Sequence, residues 1–206
     1  MIITLLMLPL VASSQNLDSL WTVWNDDSQA DSARLKAINR ILYTSRNQIP
    51  ISNDSFLMLS QRMYDLAVSA GLKKEQSNAQ RHLGLTYRNQ YNYQEALKYY
   101  DQRLSVCTEI NYLRGIGETY KDIAHLLTIE GRYKEALTSL KKSLEKYKEI
   151  SDSIGMAYCL QRIGNTYLQL SDYTTARSYF ERSIGMIDTV NEYDLFIKLE
   201  FQVMRT

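Results

Sequence analysis

Apolar residues recur at spacings of three and four along most of the chain, the period of one face of a helix. The pattern also repeats. Residues 78–104, 118–144 and 158–184 align without a gap, each offset by 40 residues from the last. Leu83, Ile123 and Ile163 form one column, and Gly84, Ala124 and Gly164 form the next. Tyr87, Leu127 and Tyr167 follow, then Tyr93, Tyr133 and Tyr173. Ala96, Ala136 and Ala176 come next, then Tyr100, Leu140 and Phe180, and last Leu104, Leu144 and Ile184. Each period therefore holds two amphipathic helices. A break falls near Tyr91-Asn92, Gly131-Arg132 or Ser171-Asp172, where Gly, Asn, Asp and Ser suit a turn. The small columns let two helices approach closely, and the large column fills the space beside them. One such hairpin cannot bury its apolar face alone, whereas stacked hairpins can.

The flanks follow the same period more loosely. Leu17, Leu20, Trp21 and Trp24 share one helix face, as do Leu35, Ile38, Ile41 and Leu42 after the cap candidates Asp31 and Ser32. A turn is expected at residues 50–53. A helix capped by Asp54 or Ser55 then carries Phe56, Leu59, Met63 and Leu66 and stops at Gly71.

The columns resemble the tetratricopeptide repeat family: Leu83-Gly84, Tyr87, Tyr93, Ala96 and Tyr100 match its signature, and the next two periods repeat the match. The resemblance covers residues 71–190. Two departures stand out. Thr108, Lys148 and Asp188 occupy the place of the family's closing proline. The period is 40 residues, against the family's commoner repeat of about 34. The extra length reads as a longer second helix and a link ending at Asn111, Ser151 and Asn191, all of helix N-cap type. The resemblance implies an all-α right-handed superhelical solenoid of antiparallel helix pairs. Repeats are expected at 71–110, 111–150 and 151–190, with a degenerate capping repeat at 15–70. Residues 191–206 read as the first helix of a further repeat. A solenoid needs a polar closing face, so the chain is expected to be a piece of a longer protein.

Composition narrows the function. The formal net charge is +1, so no field is set up to gather a phosphate backbone, and nucleic acid is not the expected partner. Nine of the 16 tyrosines sit in or beside the columns: Tyr87, Tyr93, Tyr99, Tyr100, Tyr120, Tyr133, Tyr167, Tyr173 and Tyr179. They read as core builders and not as a stacking surface. Cys107 and Cys159 lack metal or redox spacing and read as small buried residues. His82 and His125 have no companion at ligand spacing, so no metal is expected, and they read as groove or surface residues. No nucleophile motif, zinc motif or phosphate loop appears, so neither catalysis nor a cofactor is expected.

The apolar run Ile2 to Val11 is too short to span a bilayer and has the length of a signal-peptide core. Ala12-Ser13-Ser14 supplies small residues for cleavage before Gln15, although no Lys or Arg precedes the run. Residues 1–14 are read as a signal peptide and the location as the periplasm; the alternative is an ordinary buried N-terminal helix. No later segment is long and apolar enough to cross a membrane.

In the family the first helix of each repeat lines the concave face. Placing Ala96 at repeat position twenty puts Asn78, Arg81, His82, Arg88 and Asn89 on that face in the first repeat. The second repeat contributes Glu118, Lys121, Asp122 and His125, and the third Tyr158, Gln161, Arg162, Asn165 and Gln169. The face is polar and mixed in sign. The resemblance implies a scaffold that binds a protein or peptide segment in this groove. Leu85 and Asp122 stand where a carboxylate clamp needs asparagines, so a dedicated C-terminal carboxylate is not the expected ligand. The competing reading of the face is a solvated spacer. The layout also resembles the exported N-terminal regions of bacterial sensor histidine kinases and nucleotide cyclases, whose downstream domains would then be partners in the same chain. An enzyme with an unrecognised site is the third class.

Overall fold

The structure is a computed structural model and describes residues 8–47 and 52–187. Those residues are helical throughout, apart from turns. The predicted further helix at 191–206 lies outside them. Two compact units divide the chain at Asn92 and Tyr93.

The first unit holds α1 (Leu8–Asn25), α2 (Asp31–Asn47), α3 (Asn53–Ser69) and α4 (Lys73–Asn89). The second holds α5 (Tyr93–Glu109), α6 (Leu113–Ile129), α7 (Tyr133–Glu149), α8 (Ser153–Gln169) and α9 (Tyr173–Ile187). Within each unit successive helices pack on one another, and α2 also meets α4 as α6 meets α8. Helices of 17 residues joined by three-residue turns leave antiparallel packing as the close arrangement.

Six turns share one geometry at a spacing of 20 residues. Gly71, Tyr91, Asn111, Gly131, Ser151 and Ser171 all have φ between 52° and 75°. The residue after each donates its N–H five residues back, as Leu72 does to Ala67 and Arg132 to Leu127 (2.9 and 2.8 Å). The positive-φ residue donates three back, as Gly131 does to Thr128 at 3.1 Å. These are Schellman C-caps, which satisfy the last carbonyls of each helix. Gly71 and Gly131 adopt the left-handed backbone without the Cβ penalty that Tyr91 carries.

This geometry corrects the cap assignments. Asn111 and Ser151 end the preceding helices and do not start the following ones. Asp152 is the N-cap of α8, where its Oδ1 accepts from the N–H of Gly155 at 3.0 Å. Ser52, not Asp54 or Ser55, caps α3.

The first unit's core joins Trp24, Leu35, Ile38, Ile41, Leu42, Phe56, Leu59 and Met63. Two guanidinium groups lie within cation–π range of the Trp24 ring, Arg34 at 5.6 Å and Arg62 at 5.3 Å from its centroid. The second unit buries Ala96, Ala136 and Ala176, with Tyr100, Leu140 and Phe180. Each fully buried large side chain contributes about 1.5–3 kcal/mol. Of the nine tyrosines read as core builders only Tyr100 is buried, seven are half-buried and Tyr173 is exposed. Tyr173 opens α9 beside a turn and is 57% exposed, whereas Tyr147, outside the columns, is buried against Gly155.

Two serines stitch the second unit. Ser143 donates to the Gly117 carbonyl and Ser183 to the Ala157 carbonyl, both at 2.7 Å and both 26 residues back. Cys159 lies 3.0 Å from the Ser143 hydroxyl, and burial pushes its thiol up to about 11. Cys107 and Cys159 are buried free thiols, the apolar role expected of them.

Candidate functional site

Helix periodicity decides which predicted groove residues meet solvent. On α4, Asn78, Arg81 and Arg88 are half-buried and Asn89 is exposed. His82 departs from the expectation: it is 4% exposed, so it is an internal residue and not a groove residue. Its Nδ1 lies 2.9 Å from Arg46 Nη2 and its Nε2 lies 2.8 Å from Asn39 Oδ1. A guanidinium only donates, so Nδ1 must carry the lone pair and Nε2 the proton. The ring also meets Phe56 edge-on, at 5.8 Å between centroids. His82 thus joins α4 to α2 and α3.

Above this contact lies a cavity of about 150 Å³. Its polar lining is Ser45, Arg46, Asn53, Thr86 and Asn89, over the apolar side chains of Phe56 and Leu85. Of these only Asn89 belongs to the face predicted to bind. Ser45, Arg46 and Asn53 belong to the capping helices, where the 40-residue register does not run.

In the second unit α6 and α8 bring several predicted residues together. The Lys121 ammonium lies 5.1 Å from the Tyr158 ring centroid and 5.8 Å from that of Tyr147, within cation–π range. His125, Arg162 and Asn165 line one small cavity of about 20 Å³ with Thr128 and Thr166. Gln161 is half-buried, and Gln169 is exposed at the end of α8.

The acidic members of the face are committed from behind. Arg103 on α5 is fully buried, and its Nη2 pairs with Glu118 Oε2 at 2.7 Å. Its Nη1 lies 4.0 Å from Asp122 Oδ2. Asp122 is buried, so it belongs to this ion cluster and not to an open groove. Glu118 is half-buried and holds Arg103. A signal for Arg103 existed in the sequence: its column reads Arg103, Ser143, Ser183, and the two serines make the stitches described above.

Among the described residues no cluster of His, Cys, Asp and Glu could hold a metal ion, and no helix is long and apolar enough to cross a membrane. The arrangement offers hydrogen-bond donors, a caged ammonium and guanidinium groups on two helix faces. That chemistry suits the carbonyls and acidic groups of another chain.

Comparison with known proteins agrees with this geometry. Tetratricopeptide repeat protein 29 of Macaca fascicularis is 24% identical over 166 residues, 78% of this chain and 35% of that protein. The human protein of the same name is 23% identical over the same length. The chain thus spans about a third of the length of these relatives. Among solved structures, BtubC of P. vanneervenii superposes with a TM-score of 0.66 at 13% identity, covering 88% of this chain and 74% of that one. A signal-transduction ATPase of Pyrococcus horikoshii with a tetratricopeptide repeat sensor gives 0.58 at 15% identity, covering 94% of this chain and 31% of that one. These likenesses establish an all-α helical repeat solenoid. The tetratricopeptide repeat family model matches residues 75–149 and, overlapping, 115–188, which together span more than half of the sequence; with seven apolar columns in register and helix pairs closed by one repeated turn, the chain belongs to the tetratricopeptide repeat family.

Proposed function

We propose that this protein is a non-catalytic scaffold that holds a protein or peptide segment against the polar faces of its first-of-pair helices. The observation that carries this reading is on α6 and α8. Lys121 and Tyr158 meet there, and His125, Arg162 and Asn165 converge on one cavity. Half-buried donors on rigid, packed helices lose little freedom on binding, which favours recognition of an extended segment. In the first unit Arg81 and Asn89 present the equivalent face of α4.

A pull-down or peptide-array screen with the full chain identifies the segment. Arg81→Glu combined with Arg162→Glu is expected to abolish binding and to leave the helical circular dichroism and melting temperature intact. Binding that survives both changes would move the site to the second-of-pair helices.

The apolar leader read at residues 1–14 supports a second reading, an exported sensory region of a larger receptor. Residues 1–7 lie outside the described residues, and residues 8–25 form one helix that passes through the proposed cleavage point. Expression of the full gene in a Gram-negative host followed by fractionation is expected to place a processed product, starting at Gln15, in the periplasm. Unprocessed protein confined to the cytoplasm would remove this reading.

A further inference from the structure

We propose that the solvent-facing side of α7 is a second docking surface, separate from the polar faces of α6 and α8, and that its partner is an acidic amphipathic helix. The seam runs Lys134, Leu137, Lys141, Leu144 and Lys148, with spacings of three and four. Lysine thus recurs every seven residues, and so does leucine beside it. Each row drifts by only about 20° per heptad around the helix. Neighbouring lysines of the row start about 10.5 Å apart along the axis.

The fold does not account for this row. In the flanking repeats its three columns hold Gln94 and Thr174, Asp101 and Glu181, and Thr108 and Asp188. Helix packing therefore asks for no lysine at any of them. Nor does ion pairing ask for it. On α5 Lys98 pairs with Glu95 at 3.2 Å, and on α9 Arg177 pairs with Glu181 at 2.9 Å. On α7 the pairing goes elsewhere: Glu135 is held by Arg132 at 2.7 Å and Glu149 by Lys146 at 2.6 Å. Lys142 rests over the Tyr120 ring, 5.3 Å from its centroid. Lys134, Lys141 and Lys148 are exposed and make no ion pair among the described residues.

The spacing selects the partner. Leu137 and Leu144 are half-buried, so the seam keeps a strip of apolar surface alongside its ammonium groups. Lysine stems can lie along such a strip while their heads stay in water. A helix laid along α7 repeats its own side chains at the same interval, so one row of carboxylates can meet all three ammonium groups while its apolar row covers the leucines. A bilayer has no such period and responds to total charge. Membrane-binding segments gather about 4–8 cations. Here five lysines are offset by three glutamates within one helix, which suits a registered partner better than an anionic lipid surface.

The test is fluorescence anisotropy of a labelled peptide of three heptads, each Glu-Ala-Ala-Leu-Ala-Gln-Gln, titrated with the full chain at low ionic strength. Saturable binding is expected, weakened about tenfold or more when the glutamates become glutamines, the sum of three exposed ion pairs. The heptad Gln-Ala-Ala-Leu-Ala-Glu-Gln has the same composition with its carboxylate on the far side of the helix, and is expected to bind no better than the glutamine peptide. Lys134→Gln, Lys141→Asp and Lys148→Thr together give α7 the residues that α5 carries in those columns. This triple variant is expected to lose the peptide and keep its melting temperature. Lys134→Glu, Lys141→Glu and Lys148→Glu together are expected to bind the peptide with lysine in place of glutamate. Absence of saturable binding, or equal binding of the two glutamate peptides, overturns the proposal. Vesicles of phosphatidylglycerol that displace the peptide reassign the face to a bilayer and overturn the helical partner. The groove reading is judged separately: peptide binding lost on Arg81→Glu with Arg162→Glu, but kept in the lysine variants, removes the α7 site and leaves the groove standing.

Discussion

Replacing Gly164 with leucine is expected to destabilise the second unit by about 1–3 kcal/mol, the range for overpacking a filled core. A Cβ built on Gly164 would lie 2.6, 2.8 and 2.9 Å from Cε1, Cδ1 and Cζ of Phe180. Carbon atoms in good contact sit about 3.5–4.0 Å apart. Phe180 is fully buried, so its ring has no open space to move into. Even alanine collides, and leucine adds three more carbons. The backbones of α8 and α9 must then separate, which also disturbs the Ser183 bond to the Ala157 carbonyl. Ala136→Leu, at another fully buried small position, is expected to act in the same direction. Gly185→Ala is the control: its Cβ would meet nothing within 4 Å, so the substitution is expected to stabilise α9 by about 0.5–1 kcal/mol through helix entropy. Urea denaturation followed by circular dichroism reads all three. Unchanged midpoints for Gly164→Leu and Ala136→Leu would mean that these helices do not pack in the register drawn here.

That collision was readable in the sequence because Gly164 and Phe180 each occupy a column that recurs at 40 residues. Packing imposes the columns: a small residue must face a large one wherever two helices cross, so the constraint leaves the same mark in every repeat. The turns left a weaker mark: the stop at Gly71 and the breaks near Tyr91, Gly131 and Ser171 stand where the sequence put them, whereas Asn111 and Ser151 do not start helices. Gly71, Tyr91, Asn111, Gly131, Ser151 and Ser171 adopt the same backbone with four different residue types. Asn and Ser serve equally as N-caps, and Asn also tolerates the left-handed region, so residue type alone could not tell the end of one helix from the start of the next. The 20-residue spacing of the turns was the missing clue.

The binding face was legible only in part. Its helices and their register followed from the columns, but burial depends on the neighbour that each position meets. His82 was placed in the groove by its repeat number. The structure places it inside because Asn39, Arg46 and Phe56 close around it. Those three residues belong to α2 and α3, which the 40-residue register does not reach, so no pattern in the sequence announced the contact or the cavity beside it.

Arg103 carries the other large expected effect. In the repeats that follow, its column holds serine, and each serine bonds a backbone carbonyl within its own hairpin. Arg103 instead reaches from α5 to the carboxylates of α6, at 2.7 Å from Glu118 and 4.0 Å from Asp122. Its side chain is fully buried and its Nε has no hydrogen-bond partner, so it is stabilised chiefly by these two charges. Removing one member of a buried ion pair costs about 3–5 kcal/mol, mostly because the remaining charge is left without compensation. Glu118 is 22% exposed and can recover some hydration, which places Arg103→Met at the lower end of that range. The variant should therefore melt earlier than wild type and expose α6 to faster hydrogen exchange. Glu118→Gln with Asp122→Asn in the Arg103→Met background removes the carboxylates that Arg103 balanced and is expected to recover part of the lost stability. The same two changes with Arg103 retained should destabilise, since they strand the guanidinium instead. Opposite signs for one pair of substitutions in two backgrounds are what an ion cluster requires; if the two effects have the same sign, Arg103 acts through its packing alone.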